Sequence, residues 1–316
     1  MKSVVITGAT SMIGASLIHS LVENNAAERI YAVVRKGCTK LSRLPDNDRI
    51  VVIGCDIEEY DRLPGLIEDS CDVFYHFAWL ATGGSEVRNT AIKQQERNIY
   101  FALEALTAAK ALHCSKFIGA GSQAEYGPLN LPYIAPDSPT DPISAYGVAK
   151  LAAGKLVRMQ AKLWGMDCLW VRIFSVYGKF DASHTLVAST IQKLLCSERP
   201  AFTEAVQRWD YLYDSDAGHA FRLIGEQAVG NKIYCLGSGQ AKPLHEYIEQ
   251  IRDLIDPDMP LGFGEIPYPE NPVMNLCADI SDLQADTGWS PKISFEDGIK
   301  EIIYWKQHET CSVNCK

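Results

Sequence analysis

Three side chains define the chemistry open to this sequence. Ser122 closes an apolar run, Phe117-Ile118-Gly119-Ala120-Gly121, that reads as a buried strand carrying the serine to the edge of a sheet. Tyr146 and Lys150 follow in Ser144–Trp164, a stretch patterned as a long helix. Their i, i+4 spacing puts the phenol and the amine on one face, a turn apart. A phenol ordinarily titrates near ~10, and a neighbouring ammonium is expected to lower that value. Ser122 could then polarise a carbonyl oxygen while Tyr146 gives or takes its proton. Lys150 is also placed to hold a sugar hydroxyl of a bound cofactor. A Tyr-x-x-x-Lys alone occurs often by chance. After a strand-borne serine in a nucleotide-binding fold it is specific.

Such a fold is indicated at the start of the chain. Val4-Val5-Ile6-Thr7 reads as a buried strand, Gly8 to Gly14 as a tight turn, and Met12 to about Asn25 as an amphipathic helix. This is the arrangement that faces backbone N–H groups and a helix N-terminus to a pyrophosphate. Gly8, Thr10, Ser11, Met12, Ile13 and Gly14 are therefore candidate cofactor residues, with Ser11 where a middle glycine is usual. At the end of the next strand an acid would take the ribose of NAD. Here stand Arg35 and Lys36, which favour the 2′-phosphate of NADP over NAD; a solvated basic turn is the plainer alternative. Asp56 and Ile57 are placed for an adenine ring. Phe77, Ala78 and Trp79, at another strand end, are placed along the cofactor, and Trp79 also along a substrate. His76 reads as a packed strand residue rather than a catalyst.

Positioning these residues requires alternating strands and helices. Strands are expected at Arg29–Val34, Ile50–Ile53, Asp72–Ala78, Lys116–Ala120 and Cys168–Ile173, with helices near Thr90–Leu112 and Ser144–Trp164. That alternation implies an α/β, Rossmann-type doubly wound parallel sheet. After Val176 the pattern loosens, and Pro and Gly gather between 256 and 291. The expectation is a cofactor domain over 1–176, rejoined by about 210–240. A smaller substrate domain is expected over 177–209 and 241–307, and a frayed tail with Cys311 and Cys315 over 308–316. Of 316 residues 47% are hydrophobic, enough for a sizeable core, and the net charge of −9 argues against nucleic-acid or anionic-membrane partners. No apolar run reaches the ~18 residues of a membrane span, and no leader pattern is apparent. The ten cysteines include no Cys-x-x-Cys pair, so no metal site or disulfide framework is expected. A cytoplasmic protein fits these bounds.

With these motifs the sequence resembles the extended short-chain dehydrogenase/reductases, the NAD(P)-dependent epimerase/dehydratase family acting on nucleotide sugars. The carriers are Thr7–Gly14, Asp56-Ile57, His76–Ala78, Asn98, Ser122–Gly127, Tyr146–Lys150 and Arg172–Gly178. Trp209–Asp216, Gly237-Ser238-Gly239 and Asp279–Pro291 add support. The resemblance implies a sheet of about seven strands and a catalytic triad of Ser122, Tyr146 and Lys150. It also implies cofactor-side roles for Asn98, Phe174 and Val176, and substrate-side roles for Trp79, Gln123, Tyr126, Ser175 and Arg208. The two long helices are expected to form the four-helix bundle of a homodimer, with Phe101, Leu103, Leu106, Leu151, Leu156 and Val157 as surplus apolar residues.

Departures from the family pattern select the reaction. Family dehydratases carry Asp-Glu directly after the active-site Ser/Thr; here those places hold Gln123 and Ala124, and Glu125 is expected to point elsewhere. Ser175 replaces the usual Asn of that segment. Arg208 stands two places before Asp210, where the family's diphosphate-binding Arg often immediately precedes the Asp. The favoured expectation is an NADPH-dependent reductase of a keto group on a nucleotide-linked 4-keto-6-deoxy sugar. The alternatives are a nucleotide-sugar epimerase with tightly bound NAD(P), a reductase of small carbonyls, and, least favoured, a cofactor-sensing regulator.

Overall fold

A computed structural model describes residues 1–313, apart from the side chains of Ser85 and of 309–313. The strands are β1 (Ser3–Thr7), β2 (Arg29–Val34), β3 (Ile50–Gly54), β4 (Val73–His76), β5 (Lys116–Ser122), β6 (Asp167–Ile173), β7 (Ser175–Tyr177), β8 (Arg208–Tyr213), β9 (Asn231–Leu236), β10 (Ala241–Pro243) and β11 (Asn275–Leu276). The α-helices are α1 (Met12–Glu23), α2 (Leu63–Leu66), α3 (Ser85–Thr90), α4 (Ile92–Ala111), α5 (Ala145–Leu163), α6 (Leu186–Leu195), α7 (Asp214–Gln227), α8 (Leu244–Ile255), α9 (Ser281–Thr287) and α10 (Phe295–Val313). The last helix runs beyond 308, where a tail was expected to begin; Cys315 and the side chain of Cys311 lie outside the described residues. No helix among the described residues is long and apolar enough to cross a membrane.

The main sheet has seven strands in the order β3-β2-β1-β4-β5-β6-β9, and each neighbouring pair is parallel. Strand alternation divides its residues between two cores. Val4, Ile6 and Tyr75 face the layer of α1 and α7, while Val5, Phe74 and Phe117 face that of α4 and α5. The connections after β1 and β4 leave in opposite directions, so the crevice of a doubly wound sheet opens at the carboxyl ends of these neighbours. The smaller lobe holds the sheet of β10, β8, β11 and β7, with a core of Tyr177, Ile191, Tyr213, Ile251 and Ile299 between it and α6, α8 and α10. Residues 208–213 belong to this smaller sheet, so the chain re-enters the main domain through α7 and β9 rather than from about 210.

Asp210 ties the small lobe together. Its fully buried carboxylate accepts from Ser238 N (2.6 Å), Ser238 Oγ (2.7 Å), Gly239 N (3.1 Å) and Ala278 N (3.0 Å). Asp216 likewise accepts from Lys292 N and Ile293 N (2.9 and 2.8 Å), and its carbonyl takes the Trp289 indole N–H. These contacts fasten loops distant in sequence, around 237–239, 278 and 289–293, to β8 and α7.

The apolar surplus on the long helices is differently placed from expectation. Phe101, Leu106 and Val157 are buried against the sheet. The exposed large apolar residues on these two helices are Ile92, Tyr100, Val148, Leu156, Met159 and Leu163.

Candidate active site

The phosphate-binding turn is built as its sequence suggests. Gly8 adopts φ +68°, a left-handed conformation that L side chains rarely take, and a Cβ there would come within 2.8 Å of Ala78 N. Ser11 shows why a serine serves here: it is the N-cap of α1, its hydroxyl accepting from Gly14 N at 3.1 Å. Gly14 itself is buried, where a Cβ would lie 2.4 Å from Gly8 O. Beside the turn opens a cavity of about 840 Å³ lined by Gly8, Thr10, Ser11, Arg35, Lys36, Asp56, Ile57, Phe77, Ala78 and Trp79. Lys40, Arg43, Cys38 and Tyr60, not singled out from the sequence, also line it. Lys36 is paired with Glu59 (2.6 Å), and its backbone N–H donates to Asp56 Oδ1 (3.1 Å). Arg35, Lys40 and Arg43 also line this cavity. This donor set, the glycine cradle and the volume fit a dinucleotide.

A second cavity of about 510 Å³ shares Ser11, Phe77, Trp79 and Thr82 with the first, so the two form one cleft along the sheet's carboxyl edge. Ser122, Tyr146, Lys150, Met12, Ile13, Gln123, Phe174, Ser175 and Val176 all line it. The triad is assembled by a close approach of α5 to β5. A Cβ on Gly119, Gly121 or Gly154 would stand 2.4–2.6 Å from the Trp170 ring, so these glycines let the indole wedge between strand and helix. Ser144 caps α5 through Gly147 N (3.0 Å). His76 is buried in the strand, its Nδ1 2.9 Å from Thr7 Oγ1, and burial pushes its pKa down to about 3. It is a neutral packing residue.

The electrostatics differ from the expectation that Lys150 makes the phenol acidic. Burial pushes the Tyr146 phenol above its ordinary value; the Arg88 guanidinium and a hydrogen bond with Ser122 oppose that rise. Lys150 is 4% exposed, and burial brings its pKa down to about 7. Its ammonium donates to Ala120 O (2.7 Å) and sits 3.6 Å from the centroid of a Trp79 ring. Desolvation is the largest influence on both groups and sets the direction of each shift.

Four expected residues do not reach the cleft wall. Gly14 acts through packing, as described. Asn98, fully buried, receives Leu80 N (2.9 Å) and donates to Leu80 O (3.0 Å), so it fixes the loop after β4 that carries Trp79. Tyr126 is a correction: the short 3₁₀ turn Gln123–Glu125 rotates it into the core. There it is fully buried, its hydroxyl donates to Ala135 O (2.8 Å), and the Arg172 guanidinium lies 4.4 Å from its ring centroid. Arg208 is another: strand alternation sends it away from Trp209. Trp209 faces the cleft and donates from Nε1 to Ser175 Oγ (2.7 Å). Arg208 lies in a separate groove with Asn130, Tyr133, Gln240 and Asn275, hydrogen-bonded to Ala241 O.

Glu125 points elsewhere, as expected. Its buried carboxylate accepts from Ser122 N (2.9 Å), Trp170 Nε1 (2.9 Å) and Arg172 Nε (2.7 Å). Every oxygen that a dehydratase acid would need free is engaged in holding β5, β6 and the turn together. The substrate side also gains Arg88, Asp181, Thr185 and Tyr211, none of which the sequence reading singled out. They arrive from three distant segments, and no local spacing links them to the triad.

The profile of the NAD dependent epimerase/dehydratase family matches residues 4–237. A putative UDP-glucose 4-epimerase of Methanocaldococcus jannaschii is 23% identical over 96% of this chain and 98% of its own length. A dTDP-4-dehydro-6-deoxyglucose reductase of Escherichia coli is 24% identical over 100% of this chain and 98% of its own. Among solved structures, UDP-N-acetylglucosamine 4-epimerase from Methanobrevibacter ruminantium M1, in complex with UDP-N-acetylmuramic acid, superposes with a TM-score of 0.87. It has 21% identity and covers 98% of this chain and 99% of that one.

Proposed function

The chain belongs to the NAD dependent epimerase/dehydratase family, and from that premise we propose an NADPH-dependent reductase of the keto group on a nucleotide-linked 4-keto-6-deoxy sugar. The observation that carries this reading is the acid–base inventory of the cleft. Gln123 and Ala124 offer no carboxylate beside Ser122, and Glu125 is committed to Arg172, so the places where a family dehydratase carries its acid and base hold no free one. What remains around the triad is carbonyl–alcohol chemistry. When bound, the reduced nicotinamide supplies the hydride. Tyr146 donates its proton to the carbonyl oxygen as that oxygen becomes an alcohol, and the Ser122 hydroxyl polarises the same oxygen. A phenol held above its ordinary pKa keeps its proton at neutral pH, which suits an acid. Arg35 and Lys40 support NADPH as the cofactor. The Escherichia coli reductase, aligned over the whole chain, supports the substrate class.

A homodimer through α4 and α5 is proposed with it, supported by Tyr100, Leu156, Met159 and Leu163 exposed on those helices. A reducing, cytoplasmic setting is in keeping with the free thiols among the described residues. The epimerase reading keeps a specific support, the 0.87 TM-score to a UDP-N-acetylglucosamine 4-epimerase. One experiment separates them: purified protein is assayed for cofactor content and for NADPH oxidation with a panel of 4-keto nucleotide sugars. Stoichiometric turnover of added NADPH is expected. Tightly retained NAD, with no net oxidation of added NADPH, would replace the reductase with the epimerase.

A further inference from the structure

We infer that Trp209 is a positioning residue for the substrate: its indole N–H fixes the Ser175 hydroxyl as a hydrogen-bond donor to an acceptor oxygen of the bound nucleotide sugar. The inference rests on the reading that the second half of the cleft takes that substrate. An indole nitrogen can only donate, whereas a hydroxyl carries one proton and two lone pairs. The 2.7 Å contact between Trp209 Nε1 and Ser175 Oγ therefore runs one way, with the serine accepting. The serine keeps its own proton, and no acceptor among the described residues takes it. Both side chains line the cavity of about 510 Å³, so that proton is available to whatever enters it.

The fold holds the pair in place. Strands β7 and β8 run parallel with Ser175 opposite Tyr211. Strand alternation puts Trp209 on the same face as Tyr211, and both reach the cavity. The Trp209 ring packs against the main core and also against the small-lobe cluster of Phe202, Leu244 and Tyr247, so it is steadied from two sides. The charges leave this wall to neutral donors. The cations lining this half are Arg88 and Lys150, which come from α3 and α5; Arg208, the small lobe's nearest candidate, lies in the separate groove. Thr185, the other aliphatic hydroxyl that the small lobe brings to the cavity, spends its proton on Asp181 (2.7 Å). Recognition from this side is then directional rather than ionic: it depends on where the substrate presents an acceptor.

The test titrates UDP-, dTDP-, CDP- and GDP-glucose, and the four nucleoside diphosphates alone, into full-length enzyme with saturating NADP⁺, by calorimetry. The tightest nucleotide glucose is carried to Trp209→Phe, which keeps a ring without the N–H, to Ser175→Ala and to the double variant. The Kd is expected to rise roughly tenfold in Ser175→Ala and roughly threefold in Trp209→Phe, and no further in the double variant than in Ser175→Ala. NADP⁺ affinity is expected to stay at the wild-type value in all three. Wild-type affinity in Trp209→Phe, or losses that multiply in the double variant, overturns the inference. So does a parallel loss of NADP⁺ affinity, which would make Trp209 a residue of the fold alone. The expected loss takes one of two forms: shared with the nucleoside diphosphate, it assigns the acceptor to a phosphate oxygen; confined to the glucose conjugate, it assigns it to a sugar oxygen. A wild type that binds none of the four conjugates removes the nucleotide-sugar reading, and this role falls with it. A wild type that binds them but oxidises no NADPH with keto sugars removes the reductase and leaves the role of Trp209 to the variants.

Discussion

The two halves of the cleft are made in different ways. The cofactor half is backbone and strand ends: Gly8 at φ +68°, the Ser11-capped start of α1, and the residues that leave β2, β3 and β4 at the sheet's carboxyl edge. The substrate half is side chains gathered from α3, the 173–187 stretch and β8, with Trp209 where a cation was sought. A half built from a turn and successive strand ends leaves its signature in short runs of consecutive residues. A half built from long-range packing does not, and its specificity can change one side chain at a time.

The comparison breaks first, and most severely, at the residues shared by both halves. Tyr146→Phe keeps the ring and loses the proton donor, so single-turnover NADPH oxidation is expected to slow by roughly 10²–10⁴ while NADPH binding by titration is unchanged. A wild-type rate in that variant would assign the proton to another group. Next is Glu125→Ala, which leaves the Arg172 guanidinium buried and unpaired. A loss of about 3–5 kcal/mol in denaturant unfolding is expected. A stable but inactive Glu125→Ala would instead argue that the carboxylate takes part in the chemistry.

Smaller effects sharpen the boundary between the halves. Arg35→Ala removes one charge-assisted phosphate contact, so NADPH affinity should fall about tenfold and NADH affinity hardly at all, read by fluorescence titration. Equal losses for both cofactors would mean that Arg35 acts on the turn rather than on a phosphate. Smallest is Arg208→Ala: the residue sits outside the cleft, so nucleotide-sugar KM should stay within about twofold and stability within about 0.5 kcal/mol. A large rise in KM would join that groove to the substrate path.

What could be read from the sequence follows the same division. The doubly wound sheet, its strand positions and the Ser122–Tyr146–Lys150 grouping were legible because each rests on local period or spacing. The orientation of Glu125 was legible too, from its one-place offset after Ser122. Tyr126 was misplaced because a 3₁₀ turn rotates side chains differently from the strand it follows. Arg208 was misplaced because it was judged by its distance from Asp210, when the face of the strand decides where it points. The Tyr146 acidity was misjudged because spacing reveals a neighbouring amine but not the burial of the phenol, which pushes its pKa up. Arg88 had no signal at all: only the docking of α3 against α5 brings it to the phenol.

The late arrival of β9 has a consequence for how the protein is made. Strand β6 pairs with β9 along Cys168–Ile173, yet β9 begins at Asn231, after the chain has gone out through β7, α6 and β8. A nascent chain emerging vectorially from the ribosome therefore completes six strands while β6 still presents an open, apolar hydrogen-bonding edge (Cys168, Leu169, Trp170 and Val171 are all buried in the finished fold). Such an edge is a template for pairing with another chain. Between the synthesis of Ile173 and that of Leu236 this edge has no partner strand, so the order of the strands along the chain sets how long it stays open.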